Sequence, residues 1–416
     1  FNFKNYKDFL LNRIKRIFPG LLGLLIFTFI LSSLLLAPNH FKDFVESIIY
    51  NLLIIPNYFF WSQSNYFDIS SYYKPLLHTW SLGVEYHFYL LWPIFIWVLS
   101  SLIKKNYLKN VALVLLIILI IFITEYLKRF APIFEYKFLY GKYVNDTIFF
   151  LSPFRLFEFI LGYLLTINSF RLKKNFFNEC IFLIGILFII FASINFDQNT
   201  FFPGISALIP TLGAFFLIFS KKSIFFGYLL RNRIINFFGN ISFSLYLYHW
   251  PIFIFYKYYK FKELIFLEKF LCLVISVFLA YLSFVFIEKN YLKMKIFIFE
   301  KKLIYFTSLI IILSFSVLLT KGWEFRLKDF EKNIYLDKDN TYGGNCKILS
   351  DPKKNDDCIF GNKNKIDFLL IGDSHGKALY NGIELFSKRN NYNFLTYEDM
   401  CKVYPNLSSS IKNCKI

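Results

Sequence analysis

Nine apolar stretches, each close to twenty residues long, recur along this chain of 416 residues. A helix needs about 20 apolar residues to cross a hydrocarbon core of about 30 Å. The stretches therefore predict membrane-spanning helices. They cover residues 17–36, 77–100, 110–127, 149–167, 177–195, 203–219, 237–256, 270–287 and 303–319.

The composition agrees with this pattern. Charged residues make up 18% of the chain and hydrophobic residues 56%, whereas a soluble domain carries about 25% charged residues. The mean hydropathy is +0.47. These values exclude a soluble enzyme, and the predicted fold class is an α-helical polytopic membrane protein.

The distribution of Lys and Arg predicts the orientation, because cytoplasmic loops are enriched in both. A tenth run, 44–61, is interrupted by polar residues and Pro56. If this run is interfacial or re-entrant, the cytoplasmic segments hold 20 Lys and Arg and the external loops hold 10. If it crossed the membrane, that bias would reverse. The sequence therefore predicts about nine spans, with the N-terminus inside and the C-terminus outside.

The excess of positive charge belongs mostly to the membrane portion. The net charge of +19 divides into +16 on residues 1–320 and +3 on residues 321–416. Orientation and contact with lipid headgroups account for basic residues in a membrane protein. Nucleic acid is therefore not expected as a partner, whereas the lipid bilayer is.

The composition changes after about residue 320, where Phe, Ile and Leu give way to Lys, Asn, Asp and Gly. This change predicts a membrane domain over 1–320 and an external, water-soluble segment over 321–416. Four cysteines in the external segment favour disulfides. The simplest pairs are Cys346–Cys358 and Cys401–Cys414, although three pairings are open.

Ionisable side chains at membrane depth are costly and are candidates for function. His78, Ser81 and Glu85 are spaced i, i+3, i+7 and share one helix face. They predict either a reactive polar cavity or a hydrogen-bonded structural cluster. Arg155 and Glu158, spaced i, i+3, predict an ion pair inside the membrane.

A third group lies in the span that begins near residue 241. Tyr246 and His249 share a helix face, and Pro251 frees a backbone carbonyl nearby. Arg13 and Arg16 precede the first span on the predicted cytoplasmic side. Guanidinium groups suit the phosphates of an acyl-CoA, although such arginines also flank ordinary spans.

Taken together, these motifs resemble the acyltransferase type 3 family, the bacterial inner-membrane O-acyltransferases. The resemblance covers nearly all of residues 1–320. It rests on Arg13-x-x-Arg16, His78-Thr79-Trp80-Ser81 with Glu85, Phe88 and Tyr89, Arg155 and Glu158 with Gly162, Ser242 to Tyr246 with His249-Trp250-Pro251, and Ile287-Glu288.

The resemblance implies transfer of an acyl group, usually acetyl from acetyl-CoA, to a hydroxyl of an envelope glycan. Arg13 and Arg16 are then expected near the donor and Glu85 in a polar site. Two departures stand out. Tyr86 and His87 replace the family's usual acidic residue and Gln, and the family's His before the arginine motif is missing, which predicts two further spans upstream.

The external segment resembles the first block of the SGNH hydrolase family. A predicted strand, 365–371, is followed by Gly372-Asp373-Ser374-His375 and a helix-like stretch. The resemblance implies that Ser374 is a nucleophile, with Asp373 beside it. The family's late Asp-x-x-His motif is absent, so the expectation is an incomplete α/β SGNH-like periplasmic domain.

The resulting hypothesis is an O-acyltransferase of the bacterial inner membrane. Acetyl-CoA or another acyl-CoA serves as donor, and the acceptor is lipopolysaccharide, capsule or peptidoglycan. No bound cofactor or metal is predicted. A glycan or lipid transporter and a non-catalytic remnant are the alternatives, and the acyl group and oligomeric state stay open.

The topology is testable by cysteine labelling. In a background without the native cysteines, Lys105→Cys should react with an impermeant maleimide only after the membrane is permeabilised, because residue 105 lies in a predicted cytoplasmic loop. Lys142→Cys, in a predicted external loop, should react in intact cells. Labelling of position 105 from the external face would refute the orientation.

Overall fold

The computed structural model describes most of the N-terminal three-quarters of the chain and short parts of the remainder. The described residues are 3–63, 73–130, 144–167, 175–197, 200–220, 223–260, 262–326, 359–360, 365–371, 383 and 386–397. The chain divides into two compact units, Phe1–Gly322 and Trp323–Ile416.

The first unit is helical throughout its described residues. Its α-helices are α1 (Phe3–Leu35), α2 (Pro38–Leu52), α3 (Pro56–Ser62), α4 (Trp80–Leu102), α5 (Asn106–Phe130), α6 (Val144–Phe150), α7 (Leu156–Ile167), α8 (Asn175–Asn195), α9 (Ile205–Phe219), α10 (Phe225–Leu230), α11 (Arg233–Lys260), α12 (Phe266–Ser283), α13 (Lys289–Lys293) and α14 (Ile296–Leu319).

Helices lie at all nine positions where spans are predicted. Among the described residues, six are long and apolar enough to cross a membrane: Lys4–Leu35, Leu77–Leu102, Asn106–Arg129, Phe176–Asn195, Phe266–Lys293 and Ile296–Leu319. A seventh candidate is the pair Val144–Phe150 and Ser152–Thr166, which is bent by 66°. The total of nine spans stays a prediction.

The run 44–61 forms two short helices instead of one long one. α2 ends before Ile54, whose φ of 67° is left-handed, and Pro56 begins α3. A β-branched residue rarely adopts this conformation, so the chain turns sharply here. α2 packs against α14, and α3 packs against α4.

α1 is the central helix of the first unit. In its most apolar window 61% of the residues are buried, against 17% for both α5 and α14. α1 packs against α2, α4, α11 and α14. The outer helices expose Leu, Ile and Phe side chains over most of their length, as expected for surfaces that face lipid.

The described part of the second unit contains a three-stranded sheet, made of β1 (Ile359–Phe360), β2 (Phe368–Ile371) and β3 (Phe394–Tyr397) in the order β1-β3-β2. β2 and β3 are parallel, with Phe368 opposite Phe394. Parallel neighbours need a crossover connection, which is typical of α/β folds. β2 occupies the end of the predicted strand 365–371.

Asp367, the residue before β2, hydrogen-bonds to Asn393, the residue before β3. Its carboxylate accepts hydrogen bonds from the Asn393 backbone N–H at 2.8 Å and the Asn393 amide at 3.1 Å. These hydrogen bonds, together with the nearby Lys365 ammonium, hold the pKa of Asp367 below its usual value of 3.8. The charged form is therefore favoured by folding.

A carboxyl with a lowered pKa stabilises the fold above its unfolded pKa and loses that effect as the pH falls through the folded value. We therefore expect Asp367→Asn to destabilise the second unit at pH 6, with the difference from wild type shrinking as the pH approaches 3. Limited proteolysis in urea measures this. Glu324→Gln should behave like wild type, and an Asp367→Asn effect that is independent of pH would contradict the prediction.

Candidate functional site

His78 lies in the 3₁₀ turn Leu77–Thr79, immediately before α4, and its side chain hydrogen-bonds to α11. Its Nε2 lies 3.0 Å from the Leu247 carbonyl oxygen. That carbonyl is open to an outside donor because Pro251, four residues later, has no N–H to bind it. Since a carbonyl only accepts, Nε2 carries the proton and Nδ1 is a bare lone pair.

The second nitrogen of His78 is buried, and the described residues offer it no hydrogen-bond partner. Its ring lies between aromatic neighbours, with centroids 5.4 Å from Tyr246 and 5.8 Å from His249. A buried polar atom without a partner is costly. The bare lone pair can accept a hydrogen bond from a hydroxyl group that reaches it.

Tyr246, His249 and Ser81, all predicted site residues, surround His78. The Tyr246 hydroxyl donates to the His78 carbonyl at 2.5 Å and also hydrogen-bonds to the Ser81 hydroxyl. His249 Nδ1 donates to the Leu245 carbonyl at 3.0 Å, which leaves Nε2 as its basic nitrogen. The two helix faces predicted to be polar thus meet each other.

Glu85 continues this polar face about two turns further along α4. It accepts a hydrogen bond of 2.5 Å from the Tyr89 hydroxyl. The Arg13 guanidinium lies over the Tyr89 ring, 5.0 Å from its centroid. α1 therefore brings the arginine motif to the same row of side chains as His78, although the two motifs are more than sixty residues apart.

Arg16, the second arginine of the motif, is exposed. It acts electrostatically on Tyr89 and on Glu288. Glu288 is buried at the end of a π-helical segment, Phe284–Glu288, and accepts a hydrogen bond from Ser244. Glu288 was not among the predicted site residues, although a carboxylate next to an apolar run was a signal for it.

Arg155 and Glu158 form the expected ion pair, 2.9 Å from Nη1 to Oε1. Arg155 is 6% exposed. Its guanidinium lies 5.0 Å from the Trp80 ring centroid and 4.8 Å from that of Phe202. This packing satisfies a buried charge through cation–π contacts as well as the carboxylate, so the pair belongs to a second polar cluster beside α4.

Asn57, at the start of α3, belongs to this second cluster and was not predicted. It is fully buried, and its amide nitrogen donates to the Phe150 carbonyl at 3.2 Å. The Asn57 side chain packs directly against Gly83. Any larger residue at position 83 would clash with it, because a Cβ there would lie 2.6 Å from Asn57 Oδ1. No sequence pattern pointed to this contact between α3 and α4.

Several predicted residues lie outside the described part of the chain. They are Asp373, Ser374, Cys346, Cys358, Cys401 and Cys414. Their roles and the disulfide pairing stay predictions. Within the described ranges, no group of three or more His, Cys, Asp and Glu side chains is arranged to hold a metal ion.

Comparisons with known families agree with both regions of the chain. A family model described as an acyltransferase domain matches residues 1–288. Another, described as an SGNH domain fused to such acyltransferase domains, matches residues 345–415. Together they match residues 1–288 and 345–415, and the segment between them, which contains α14, lies outside both.

The chain is similar to curated proteins of Haemophilus influenzae and Staphylococcus aureus. An uncharacterized protein of Haemophilus influenzae is 28% identical over 212 residues, which is 50% of this chain and 83% of that protein. A Staphylococcus aureus protein named "Putative O-acetyltransferase" is 27% identical over 304 residues, 69% of this chain and 48% of that protein. The O-acetyltransferase OatA of Staphylococcus aureus is 27% identical over 263 residues, which is 60% of this chain and 41% of that protein.

The chain therefore spans about half the length of the Staphylococcus aureus relatives that it matches. No solved structure matches it.

The close contact between Gly83 and Asn57 predicts that adding a methyl group at position 83 destabilises the fold. Gly83→Ala places a Cβ too close to Asn57 and should lower stability by about 1–3 kcal/mol. Gly239→Ala is the matched control, since that helical glycine has no atom within 4 Å of a built Cβ, and it should gain up to about 1 kcal/mol. Thermal unfolding in detergent measures both, and equal shifts would contradict the prediction.

Proposed function

The chain belongs to the acyltransferase type 3 family, and we propose on this basis that the protein transfers an acyl group, acetyl first, from acyl-CoA to a hydroxyl of an envelope polysaccharide. Lipopolysaccharide, capsule and peptidoglycan are the candidate acceptors. The main support for the proposal is a row of polar side chains on α4, formed by Ser81, Glu85 and Tyr89. It extends from His78 to Arg13.

The row has the spacing of one helix face. Ser81, Glu85 and Tyr89 follow His78 at intervals of three or four residues, and at 1.5 Å per residue the row extends about 16 Å from His78 to Tyr89. Arg13 lies at one end of the row and His78 at the other. A donor and an acceptor that approach from opposite sides of a membrane require a polar path of this kind.

The arginine end of the row is the proposed donor site. Arg13 is half-buried between the rings of Phe9 and Tyr89, so its planar guanidinium is held in position. Arg16 is exposed, so it can turn toward an anion. Two guanidinium groups three residues apart suit the pyrophosphate of coenzyme A, which they bind through paired N–H donors.

The histidine end is the proposed site of transfer. His78 Nδ1 takes the proton of the hydroxyl group that receives the acyl group, and the hydroxyl oxygen attacks the acyl carbonyl carbon. The hydrogen bond from Nε2 to Leu247 holds the imidazole in the basic tautomer. Tyr246 donates to the backbone carbonyl of His78 itself and is in turn bonded to Ser81, so the ring is positioned before a substrate arrives.

The arrangement in the membrane completes the proposal. Nine spans of residues 1–320 lie in the inner membrane, with the arginine end inside, and residues 321–416 lie in the periplasm. Ser374 in the SGNH-like region receives or delivers the acyl group there. The likeness of residues 345–415 to an SGNH domain fused to acyltransferase domains supports this division of labour.

The proposal is tested with full-length protein in liposomes, labelled acetyl-CoA and deacetylated envelope glycan. His78→Gln keeps an N–H donor for the Leu247 carbonyl but lacks the basic nitrogen. We expect it to lower transfer by about 10²-fold or more, the usual contribution of a general base.

His40→Gln is the matched control, because His40 also hydrogen-bonds to a residue of α11, Tyr258, but lies away from the polar row. It should transfer acetyl at close to the wild-type rate. Absence of alkali-labile acetyl on the glycan with the wild-type protein, for every acyl-CoA tried, would refute the assignment. Full activity of His78→Gln would remove His78 from the mechanism.

A further inference from the structure

A serine and a histidine meet at the second polar cluster. Ser152 Oγ lies 2.6 Å from His87 Nδ1, within the range in which a histidine activates a nucleophile. His87 is one of the two residues that depart from the pattern of the family after Glu85. Ser152 lies at the bend between α6 and α7 and is 6% exposed.

Several other hydroxyl groups in the apolar helices bond only to their own helix. Thr28 donates to the carbonyl of Leu24, and Ser276 to that of Cys272, each four residues earlier in the same helix. This is the common structural use of Ser and Thr at membrane depth. The hydroxyl of Ser152 instead meets a basic side chain from another helix.

Asn57 is a hydrogen-bond donor beside Ser152. Its amide nitrogen donates to the Phe150 carbonyl and lies 3.5 Å from Ser152 Oγ. Because an amide N–H only donates, Ser152 accepts from Asn57, and its own proton is available to His87 Nδ1 in the tautomer that leaves this nitrogen without a proton. The same amide is then a ready donor beside a carbonyl oxygen that gains negative charge.

An apolar cavity opens beside this serine. Its volume is about 340 Å³, and Ser152 and His87 lie on its wall together with Phe88, Leu91, Trp92 and Phe95. Small-molecule sites range from about 300 to 1,000 Å³ and combine apolar walls with a few polar groups. A short acyl chain with its carbonyl at Ser152 fits this distribution of polar and apolar atoms.

We propose that Ser152 is a nucleophile that carries the acyl group as an ester within the first unit, with His87 as its base. The inference rests on the proposed function and adds to it a loading step. Ser152 gives its proton to His87 Nδ1 while Oγ attacks the thioester carbonyl. The C–S bond breaks, the proton passes to the sulfur, and coenzyme A leaves as the thiol.

Unloading reverses the proton path. An intermediate hydroxyl group attacks the ester and gives its proton to His87, before His78 serves the final acceptor. The bond between the acyl carbon and Ser152 Oγ breaks, and Oγ takes the proton back. Each step conserves atoms and electrons, so no oxidant, reductant or metal is required.

The test uses full-length protein in detergent with two probes, acetyl-CoA and p-nitrophenyl butyrate. Mass spectrometry of peptides from the acid-quenched protein should find one acyl group on Ser152. In a Ser374→Ala background, which removes the other proposed nucleophile, the ester probe should give a burst of one p-nitrophenolate per protein. Ser152→Ala should lose both signals. His87→Gln should slow the burst by about 10²-fold or more.

Two further variants separate chemistry from folding. Ser152→Cys keeps a nucleophile of similar size and should carry the acyl group as a thioester that neutral hydroxylamine removes. Ser193→Ala, which deletes an exposed hydroxyl that bonds to the Ile189 carbonyl of its own helix, should keep the wild-type burst.

The two proposals fail in different ways. Transfer of acetyl to glycan at the wild-type rate by Ser152→Ala, with no ester on Ser152 in the wild type, would overturn the loading step and leave the proposed function standing. If no acyl-CoA supports transfer to glycan, the proposed function fails, and the burst with p-nitrophenyl butyrate still decides the role of Ser152.

Discussion

The hydrogen bond between His78 and the Leu247 carbonyl ties together the two helices on which the rest of the site depends. Pro251 removes the helix's own donor, and a carbonyl left open among apolar side chains must find another. His78 provides it. Around this bond, Tyr246 and the Trp250 indole donate to backbone carbonyls on the segment that leads into α4, so the start of α4 is held against α11.

α1 extends this arrangement toward the arginine motif. Small residues let it approach its neighbours closely, as at Gly23, where a Cβ would lie 2.6 Å from the Ile287 side chain. Close approach of this kind is the main route to helix packing in membranes. It places Arg13 over Tyr89 and Arg16 close enough to interact with the charge of Glu288. The two arginines therefore contact residues of the helix bundle as well as flanking the first predicted span.

α4 presents polar groups on two faces, and the two proposals use one each. Ser81, Glu85 and Tyr89 share the face that meets α1 and α11, whereas His87 points to the bend between α6 and α7. In the two proposals, one helix thus serves a site of transfer and a site of loading. The first face carries residues of the motifs that resemble the acyltransferase family, whereas the second depends on a histidine and a serine that the tertiary structure brings together.

The sequence alone determined what depends on local spacing. Apolar stretches of about twenty residues located the helices, the i, i+3 spacing of Arg155 and Glu158 paired their charges, and residues 365–371 contained β2. Such features follow from the periodicity of one segment. The tertiary structure decided the contacts between distant segments, such as Ser152 with His87 and Glu288 with Ser244. These depend on which helices pack together and where they bend, and periodicity within a segment carries no information about its partner.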